Sequence, residues 1–438
     1  MRIWQLFLIA ALLWVPTAVF SPPTRQQELR VLISARNMLE SGNFHRPEFQ
    51  NQPRFRKPPM AYWMAAGGMA LTGNRNAAWA GRFLFILSSM LAIFLLTRIS
   101  GPSGFHTALI ALFSFGFIRY APLAETDMIQ ITGILLFFYA WQRQASCLAG
   151  LGISFACLSK GPAGILIPIL CLLILLRFYR PDKKFILAVI LIPLLLIGGW
   201  ILYLMNELSG LDQMQKDLNA TFINSDHNNP WYYYFYTLPL MMIPGGLLIF
   251  WRGNKKEQSS PIEIRTAMAW LCVTLVLLMV TVSKQRHYAL LLMPPAAWLI
   301  GMRIQSHKIQ ESWVFISMAT MIGLGIAGYE ANTEDHLHAK FLKEARPFIQ
   351  EAPTLHVVGI NSAIFDFHLG RHVENTTDAR AAYQRAEPGD AVIIIQPVRA
   401  SLPDAEPLLS HSDGVWERTL YHKQLSNSNL DTRTSKRE

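Results

Sequence analysis

The stretch QELRVLISARNMLESGNFHRPEFQNQPRFRKPPMAYW, from Gln27 to Trp63, is a polar, arginine-rich segment between apolar segments that are suited to span a membrane. Together with the preceding Arg25 it carries seven cations against three carboxylates. The cations are Arg25, Arg30, Arg36, Arg46, Arg54, Arg56 and Lys57, and the carboxylates are Glu28, Glu40 and Glu48. Such a surface suits a phosphate ligand, and a basic loop that only touches anionic lipid headgroups is the alternative.

The local pattern within this stretch predicts a helix followed by a rigid connection. The residues from Glu28 to Leu39 repeat apolar side chains at a helical period, which predicts an amphipathic helix able to lie on a bilayer. Ser41-Gly42-Asn43 predicts the end of that helix. Pro58-Pro59 directly follow Lys57 and predict a stiff, extended chain that would hold the lysine near the membrane surface.

The composition of the 438 residues, 52% hydrophobic and 16% charged, indicates a polytopic α-helical membrane protein rather than a soluble one. The first apolar segment, Ile3 to Phe20, is interpreted as a spanning anchor because its signal-cleavage motif is poor and further apolar segments follow. About eleven spans are predicted in all. The others are Ala78 to Thr97, Phe105 to Ile118, Met128 to Trp141, Cys147 to Leu158, Gly161 to Leu176, Phe185 to Met205, Thr237 to Trp251, Thr266 to Val282, Ala289 to Met302 and Trp313 to Tyr329.

The distribution of Lys and Arg predicts the orientation, because short cytoplasmic loops retain positive charge. One face collects the following basic residues: Arg98, Arg143, Arg177, Arg180, Lys183, Lys184, Arg252, Lys255, Lys256, Arg265, Arg303 and Lys308. That face is expected to be cytoplasmic, with the N-terminus on the same side and the C-terminus outside. The basic opening loop then lies on the outer face, against the rule, which argues that its charges serve a ligand.

Three domains are predicted: a membrane domain over 1–330 with an outer loop over 22–76, a small α/β domain over 331–425, and a disordered tail over 426–438. Leu355 to Ile360 and Ala391 to Ile395 are typical of buried strands, with helices at Ile364 to Leu369 and Ala379 to Arg385. The four cysteines all lie in apolar spans and are expected to pack rather than form disulfides. The net charge of +10 is accounted for by loop ends and the opening loop, so no nucleic-acid partner is predicted.

Two outer groups of polar residues lie at the ends of predicted spans. Glu125-Thr126-Asp127 opens a span, and its Asp127 is a candidate general base, with helix capping as the structural alternative. Lys160-Gly161-Pro162 begins another span, where the ammonium could meet a phosphate or snorkel to the interface.

Two further groups lie in the later outer loops. His227 and Trp231 belong to a polar bend that runs into consecutive aromatic residues, which suits either stacking on a sugar or an aromatic membrane belt. The turn from Ser283 to Tyr288 places Lys284, Arg286 and Tyr288 where the positive-inside rule would not put basic residues.

The order of these motifs carries a family resemblance. ARNMLESGNF and RKPPMAYW in the outer loop are followed by AETDM, LSKGPAGILIP, HNNPWYYYFYTLP and SKQRHYALLLMPP. This series resembles bacterial GT-C glycosyltransferases of the protein O-mannosyltransferase and lipid A aminoarabinose transferase superfamily, over about residues 25 to 300. Several motifs in the right order are far more specific than any single one.

The resemblance implies a GT-C membrane fold in the bacterial inner membrane and a polyprenyl-phosphate-linked sugar as donor substrate. The acceptor would be lipid A, another glycolipid or a protein, and membrane lipids would surround the enzyme. In similar enzymes the opening loop carries Asp-Glu-x-Arg with the aspartate as base. Here Gln27 takes that position, and Glu28 and Arg30 match the rest. Arg56 stands where many relatives carry Glu, so no metal ligands are predicted and a need for a divalent metal stays open.

The resemblance assigns catalysis to Asp127 or Glu28, in a single inverting displacement. The substrate-binding residues expected from the motifs are Arg30, Lys57, Lys160, Lys284, Arg286, Tyr288, His227 and Trp231. A relative that binds polyprenyl phosphates without catalysis, as Gln27 permits, and a transporter of lipid-linked sugars are the alternatives. A transporter is expected to carry polar groups in the middle of its spans, whereas here the charges gather at span ends.

Overall fold

The structure is a computed structural model that describes residues 3–21, 23, 25–178, 180–207, 210–222, 229–244, 260–304, 318, 321, 341–342, 344–349, 352–358, 362–370, 373–376, 379–388, 390–397, 408–412 and 416–422. The chain divides into two compact units. The first comprises Met1–Ser21, Ser34–Glu48 and Pro53–Gly325, and the second comprises Pro22–Ile33, Phe49–Gln52 and Ile326–Glu438. Each unit is described by itself.

The first unit is helical and has one extensive apolar core. Its helices are α1 (Ile3–Phe20), α2 (Gln26–Ser41, whose residues up to Ile33 belong to the second unit), α3 (Met60–Thr72), α4 (Ala78–Ile99), α5 (Gly104–Leu112), α6 (Phe115–Tyr120), α7 (Thr126–Gln142), α8 (Ser146–Lys160), α9 (Ala163–Leu175), α10 (Lys183–Asn206), α11 (Gly210–Phe222), α12 (Tyr233–Met241), α13 (Pro261–Val280) and α14 (Met293–Ile304). Two short 3₁₀ helices cover Gly101–Ser103 and Arg286–Leu292.

Four helices are long and apolar enough to cross a membrane, among the residues that the structure describes. They are α1, α4, α10 and α13. Helices α8 and α9 are apolar but shorter, with 15 and 13 residues. The membrane class is therefore confirmed, whereas the predicted number of about eleven spans is not.

Helices α7 and α8 form an antiparallel hairpin around the short connection at residues 143–145. Small residues let the two backbones approach closely, because a Cβ on Gly133 would lie only 2.5 Å from the Ala156 nitrogen. Such small-residue contacts are the usual way in which helices associate inside a membrane. The hairpin places the first turn of α7 beside the last turn of α8.

Arg82 joins α4 to α1. Its side chain is fully buried, and Nη1 donates hydrogen bonds to the carbonyl oxygens of Ala18 at 2.9 Å and Ser21 at 2.6 Å. These carbonyls belong to the last turn of α1 and the residue after it, where no further helical turn supplies N–H donors. A buried cation on α4 thus supplies hydrogen bonds to carbonyl groups at the end of α1.

Several predicted local features differ in the structure. The amphipathic helix is present as α2, and Gly42 ends it with a positive φ of 72°. Pro59 is not extended, since its φ of −80° and ψ of −10° are helical and it caps α3. The extended-chain prediction was therefore wrong for Pro59, because proline also suits the first turn of a helix.

Two predicted spans are interrupted or begin differently. The segment from Phe105 to Ile118 is split into α5 and α6, and the Phe115 amide between them donates to the Ile243 carbonyl at 3.1 Å. The span predicted from Ala289 begins as the 3₁₀ helix and continues as α14. The segment from Trp313 to Tyr329 lies outside the described residues except for Met318 and Met321.

The four cysteines are free, as predicted. Cys157 and Cys171 are buried, whereas Cys147 and Cys272 are exposed, so the packing role fits only the first two.

The second unit contains a five-stranded mixed sheet with strand order β4-β3-β5-β7-β6. The sheet strands are β3 (Leu355–Val358), β4 (Glu374–Thr376), β5 (Ala391–Pro397), β6 (Leu409–Ser412) and β7 (Trp416–His422), while a separate two-stranded ribbon pairs β1 (Glu48–Phe49) with β2 (Gln52–Pro53). Strand β3 runs parallel to β4 and β5, and β7 runs antiparallel to β5 and β6. The two predicted strands are present as β3 and β5, and the predicted helix from Ala379 to Arg385 is confirmed. The helix predicted from Ile364 to Leu369 begins two residues earlier, at Ser362. The tail over 426–438 lies outside the described residues, and the predicted domain boundaries remain predictions.

Candidate active site

Asp127 lies in the first turn of α7, where the side chain is 3% exposed. Helix α7 begins after Glu125, which has an extended backbone and serves as the N-cap residue. The Glu125 side chain makes no capping hydrogen bond at this end of α7. An acidic residue in the first turn is still favoured by the helix dipole.

Lys160 is the last residue of α8, and its ammonium pairs with the Asp127 carboxylate. Gly161 ends the helix there with a φ of 97° and a ψ of −148°, a conformation that side chains rarely adopt. The Lys160 side chain is 12% exposed, so the lysine does not snorkel to solvent. The α7–α8 hairpin therefore brings together two residues that the sequence analysis singled out separately.

The Lys160 ammonium also lies over an aromatic ring. Its Nζ is 4.4 Å from the centroid of Tyr288, a distance that suits a cation–π contact. The Tyr288 ring is 4.7 Å from His287, whose ring in turn lies 6.4 Å from Tyr120 at the end of α6. Asp127, Lys160 and Tyr288 thus form one charged and aromatic cluster, which we call the α7–α8 site.

The loop before Tyr288 is held by hydrogen bonds to its backbone. Lys284 is buried, and its Nζ donates to the Thr281 carbonyl at 2.7 Å. Asn229 Nδ2 donates to the Lys284 carbonyl at 2.8 Å, and the Tyr234 hydroxyl donates to the Gln285 carbonyl at 3.4 Å. Asn229 in the polar bend and Tyr234 in the aromatic run after it thereby fix the position of the loop from Ser283 to Tyr288.

Lys57 is half-buried, and the chain before it is clamped from α11. Gln213 Nε2 donates to the Pro53 carbonyl at 2.9 Å, and Gln213 Oε1 accepts from the Phe55 amide at 2.9 Å. After Lys57, Met60 packs against Cys157 and Leu158 on α8. Both flanks of Lys57 are therefore fixed, and the second contact lies near the Lys160 end of α8.

The other predicted residues that the structure describes lie on α2, in the 3₁₀ helix and in the polar bend. Glu28 and Arg30 lie on the part of α2 that belongs to the second unit. Arg286 is exposed, and Trp231 is 62% exposed beside Tyr232 and Phe235, which favours the aromatic-belt reading for Trp231. His227 lies outside the described residues.

Sequence reasoning missed two polar side chains, Gln130 and Gln213. Gln130 lies one turn after Asp127 on the same helix face and is fully buried. Neither its Nε2 nor its Oε1 has a hydrogen-bond partner among the described residues, whichever way the amide is oriented. An amide inside an apolar span was the available signal for Gln130. Nothing in the sequence distinguishes Gln213 from its polar neighbours.

Among the described residues, no group of three or more His, Cys, Asp or Glu side chains is arranged to hold a metal ion.

Part of the chain is similar to a known protein family and to known enzymes. The sequence profile of the family described as dolichyl-phosphate-mannose-protein mannosyltransferase matches residues 56–203. An uncharacterised protein of Aquifex aeolicus is 26% identical over 318 residues, which cover 66% of this chain and 62% of that protein. The undecaprenyl phosphate-alpha-4-amino-4-deoxy-L-arabinose arabinosyl transferase of Edwardsiella ictaluri is 27% identical over 332 residues, which cover 67% of this chain and 56% of that enzyme. The chain thus spans somewhat more than half the length of these relatives.

The fold is also that of solved membrane structures. The crystal structure of ArnT from Cupriavidus metallidurans bound to undecaprenyl phosphate superposes with a TM-score of 0.75 at 16% sequence identity, covering 97% of this chain and 98% of that chain. The apo structure of the same protein gives a TM-score of 0.72. Together with the family profile and the ordered motifs, this similarity confirms the resemblance found in the sequence. The chain is thus similar to GT-C membrane glycosyltransferases of the superfamily that includes the protein O-mannosyltransferases and the lipid A aminoarabinose transferases.

Proposed function

We propose that the protein transfers a sugar from a polyprenyl-phosphate carrier to an acceptor on the periplasmic face of the bacterial inner membrane, with inversion at the anomeric carbon. The observation that carries this proposal is the Lys160 ammonium, which is shared between the Asp127 carboxylate and the Tyr288 ring. A buried carboxylate and a cation at one end of a helix hairpin are the two groups that this transfer needs. The similarities give no support to the two alternatives, carrier binding without catalysis and transport.

A buried carboxylate needs an opposite charge nearby, and the Lys160 ammonium supplies that charge to Asp127. Removing a charge from water is costly, and a nearby opposite charge offsets that cost. A lysine ammonium can exchange one anionic partner for another because it is a compact charge on a flexible stem. A carrier phosphate that enters the site attracts Lys160 and draws its ammonium away from the Asp127 carboxylate.

The proposed displacement has a complete proton balance. The acceptor hydroxyl oxygen forms the new bond to the anomeric carbon while the bond from that carbon to the carrier phosphate oxygen breaks. The hydroxyl proton passes to the Asp127 carboxylate, and the bonding electron pair leaves with the polyprenyl phosphate. Lys160 stabilises the negative charge that develops on the departing phosphate.

The remaining basic residues have supporting roles in the proposal. Lys57 and Lys284 bind the carrier phosphate, and Arg30 and Arg286 extend the positive surface around it. Tyr288 positions Lys160, while His227 and Trp231 are assigned to the sugar. Glu28 is the second candidate base, because Gln27 has no carboxylate at the position where similar enzymes carry aspartate.

The test is turnover of the purified full chain in liposomes with a panel of polyprenyl-phosphate sugars, measured as release of free polyprenyl phosphate. Asp127→Asn is expected to lower turnover by about 10²- to 10⁴-fold, the usual contribution of a general base. Glu28→Gln and Gln27→Asp, measured beside it, identify whether α2 supplies a base. Asp182→Asn is the matched control, because Asp182 caps α10 and asparagine caps equally well.

Carrier binding is measured separately with radiolabelled polyprenyl phosphate. Normal binding with turnover lost only in Asp127→Asn is the expected result. Turnover that is unchanged in Asp127→Asn would exclude this carboxylate as the base. A third outcome is that the parent releases no polyprenyl phosphate with any donor while the Gln27→Asp variant does release it. That result would show that the parent chain binds the carrier without catalysis.

A further inference from the structure

A small cavity lies at the end of the first unit opposite the α7–α8 site. It has a volume of about 220 Å³ and is lined by Arg98, Ile99, Trp141, Gln142, Glu263 and Thr266, among others. Asp127 and Trp141 stand at opposite ends of α7, about 21 Å apart at 1.5 Å per residue. The cavity is thus separate from the proposed catalytic site, and nothing in sugar transfer uses its residues.

Two opposite charges line this cavity without pairing with each other. Arg98 lies in the last turn of α4, and Glu263 lies in the first turn of α13. Arg98 makes no ion pair with the described residues, although the Glu263 carboxylate lines the same small space. A guanidinium and a carboxylate that share a cavity and remain apart leave room for a ligand that carries both charges.

The Glu263 carboxylate is held in place by its own helix end. Its Oε2 accepts from the Ser260 amide at 3.0 Å, and the Ser260 hydroxyl accepts from the Glu263 amide at 3.3 Å, which completes a capping box. Its Oε1 lies over Gly101, where an added Cβ would come within 2.4 Å of it. Gly101 has a φ of 55°, so both its conformation and its lack of a side chain suit this contact.

The remaining surface is suited to a lipid headgroup. Trp141 and Phe138 supply aromatic surface, which attracts an ammonium group. The volume is below the roughly 300–1,000 Å³ of sites for drug-sized ligands, so it fits a headgroup and not a whole lipid. Arg98 lies in the last turn of α4, a 22-residue apolar helix that is long enough to span a membrane. The cavity therefore lies at the headgroup level of the membrane.

An exposed apolar side chain on α4 is available to an acyl chain. Leu91 lies two turns before Arg98 on the same face of α4, and its side chain is exposed. The Lys and Arg distribution predicts that this end of the unit faces the cytoplasm, where the inner leaflet supplies the lipid.

We infer that the cavity between α4, α7 and α13 binds the headgroup of a phospholipid that carries a phosphate and a primary ammonium group, as phosphatidylethanolamine does. Arg98 binds the phosphate, and Glu263 accepts hydrogen bonds from the ammonium with Trp141 beside it. The bound lipid bridges three helix ends that otherwise meet around an open space. This site goes beyond sugar transfer and does not depend on it.

The test is native mass spectrometry of the full chain with phosphatidylethanolamine, phosphatidylglycerol and phosphatidylcholine of identical acyl chains. The parent is expected to retain one phosphatidylethanolamine in preference to the other two lipids. Arg98→Gln and Glu263→Gln are each expected to weaken that binding by about tenfold or more, since each removes a hydrogen bond to a charged group. Glu263→Gln preserves the capping box, because glutamine also serves at that position.

Two controls separate lipid recognition from misfolding. Arg143→Gln removes an exposed cation at the same end of α7, where Arg143 lies over the Tyr139 ring at 4.7 Å and does not line the cavity, so binding should be unchanged. Arg98→Lys retains the charge and should keep most of the binding. Equal retention of phosphatidylglycerol and phosphatidylethanolamine, or phosphatidylethanolamine binding that survives in both Arg98→Gln and Glu263→Gln, would overturn the inference.

Discussion

Two buried acidic residues, Asp127 in the first unit and Asp390 in the second, are stabilised in different ways. Asp390 Oδ1 accepts from the Thr354 amide at 2.9 Å, and Oδ2 accepts from the Glu387 amide at 2.8 Å. The Asp390 side chain also meets His356 Nε2 at 3.4 Å, while His356 Nδ1 lies 3.1 Å from Glu374. Lys160, by contrast, reaches Asp127 and Tyr288 from a flexible side chain.

Asp390 is held by backbone amides, whereas Asp127 is paired with a side-chain cation that can change its partner. Backbone donors in a folded loop cannot leave Asp390 without unfolding that loop. A lysine ammonium can turn toward an incoming phosphate while its helix stays in place. The first arrangement is suited to stability, and the second is suited to chemistry.

The largest expected effect comes from removing the exchangeable cation. Lys160→Gln leaves the buried Asp127 carboxylate without this partner, which is expected to lower the free energy of unfolding by about 3–5 kcal/mol and to abolish turnover. The measurement is thermal or chemical denaturation of the full chain in detergent, together with release of polyprenyl phosphate. The double variant Lys160→Gln/Asp127→Asn should regain most of the stability but no turnover. A double variant as unstable as the single one would show that the pair is not the source of the loss.

A smaller effect is expected at the fixed acid. Asp390→Asn turns an accepting oxygen into an amide that opposes an N–H donor, which should cost about 1–3 kcal/mol of unfolding free energy. Turnover per folded molecule should stay within about twofold of the parent if Asp390 serves only stability. A loss of turnover in folded Asp390→Asn protein would contradict the distinction between the two acids.

The contribution of Asp390 to the free energy of unfolding is also expected to depend on pH. Burial alone would raise the pKa of Asp390, but hydrogen bonds from the Glu387 and Thr354 amides and from His356 outweigh burial and hold the pKa below its usual 3.8. The folded state therefore favours the ionised form. Its stabilising contribution is complete above the unfolded pKa and is lost as the pH falls through the lower folded pKa. Denaturation of the parent and of Asp390→Asn, from about pH 7 to about pH 3, should show the difference between them shrinking toward acid pH.

The smallest effect concerns Gln130, which lies one turn after Asp127 and whose amide atoms have no hydrogen-bond partner in the part of the chain that the structure describes. Gln130→Met replaces a buried unsatisfied amide by an apolar side chain of similar length and should raise the unfolding free energy by about 1 kcal/mol. Thr132→Val is the matched control on the same helix. The Thr132 hydroxyl lies 3.0 Å from the Ser88 carbonyl and 2.8 Å from the Met128 carbonyl, so its loss should destabilise. A destabilised Gln130→Met protein would show that the amide is satisfied in the folded state.

The parts of the fold that sequence predicted well are those with a strong local signal. The helix over Ala379–Arg385 and the starts of α4 and α7 follow from apolar periodicity and turn residues. Helix α3 was missed because its residues were assigned to the outer loop over 22–76. In the structure, a Cβ on Gly68 would lie 2.5 Å from the Ala80 carbonyl oxygen, so this glycine permits close contact between α3 and α4. Local propensity does not reveal that tertiary reason.

The strands β4, β6 and β7 were missed for a similar reason. They are polar or short, and they are selected by pairing with the strongly apolar β3 and β5. Long-range pairing of this kind is not visible in a window of sequence.

The candidate site was predicted as separate residues, and one feature of the sequence could have joined two of them. Asp127 and Lys160 are nearly equidistant from the connection at residues 143–145, so an antiparallel hairpin must bring them together. The cation–π contact with Tyr288 depends on the tertiary position of the 3₁₀ helix and had no such signal.

The buried Arg82 has a consequence for how the protein is made. Carrying a cation into a bilayer is unfavourable unless polar partners are present, and part of what satisfies Arg82 is the pair of carbonyls at the end of α1. Helix α1 is synthesised first, so these carbonyls are already in place when α4 leaves the ribosome. The order of the chain thus supplies the acceptor before the donor arrives, and α4 is expected to insert as a partner of α1 rather than as an independent segment.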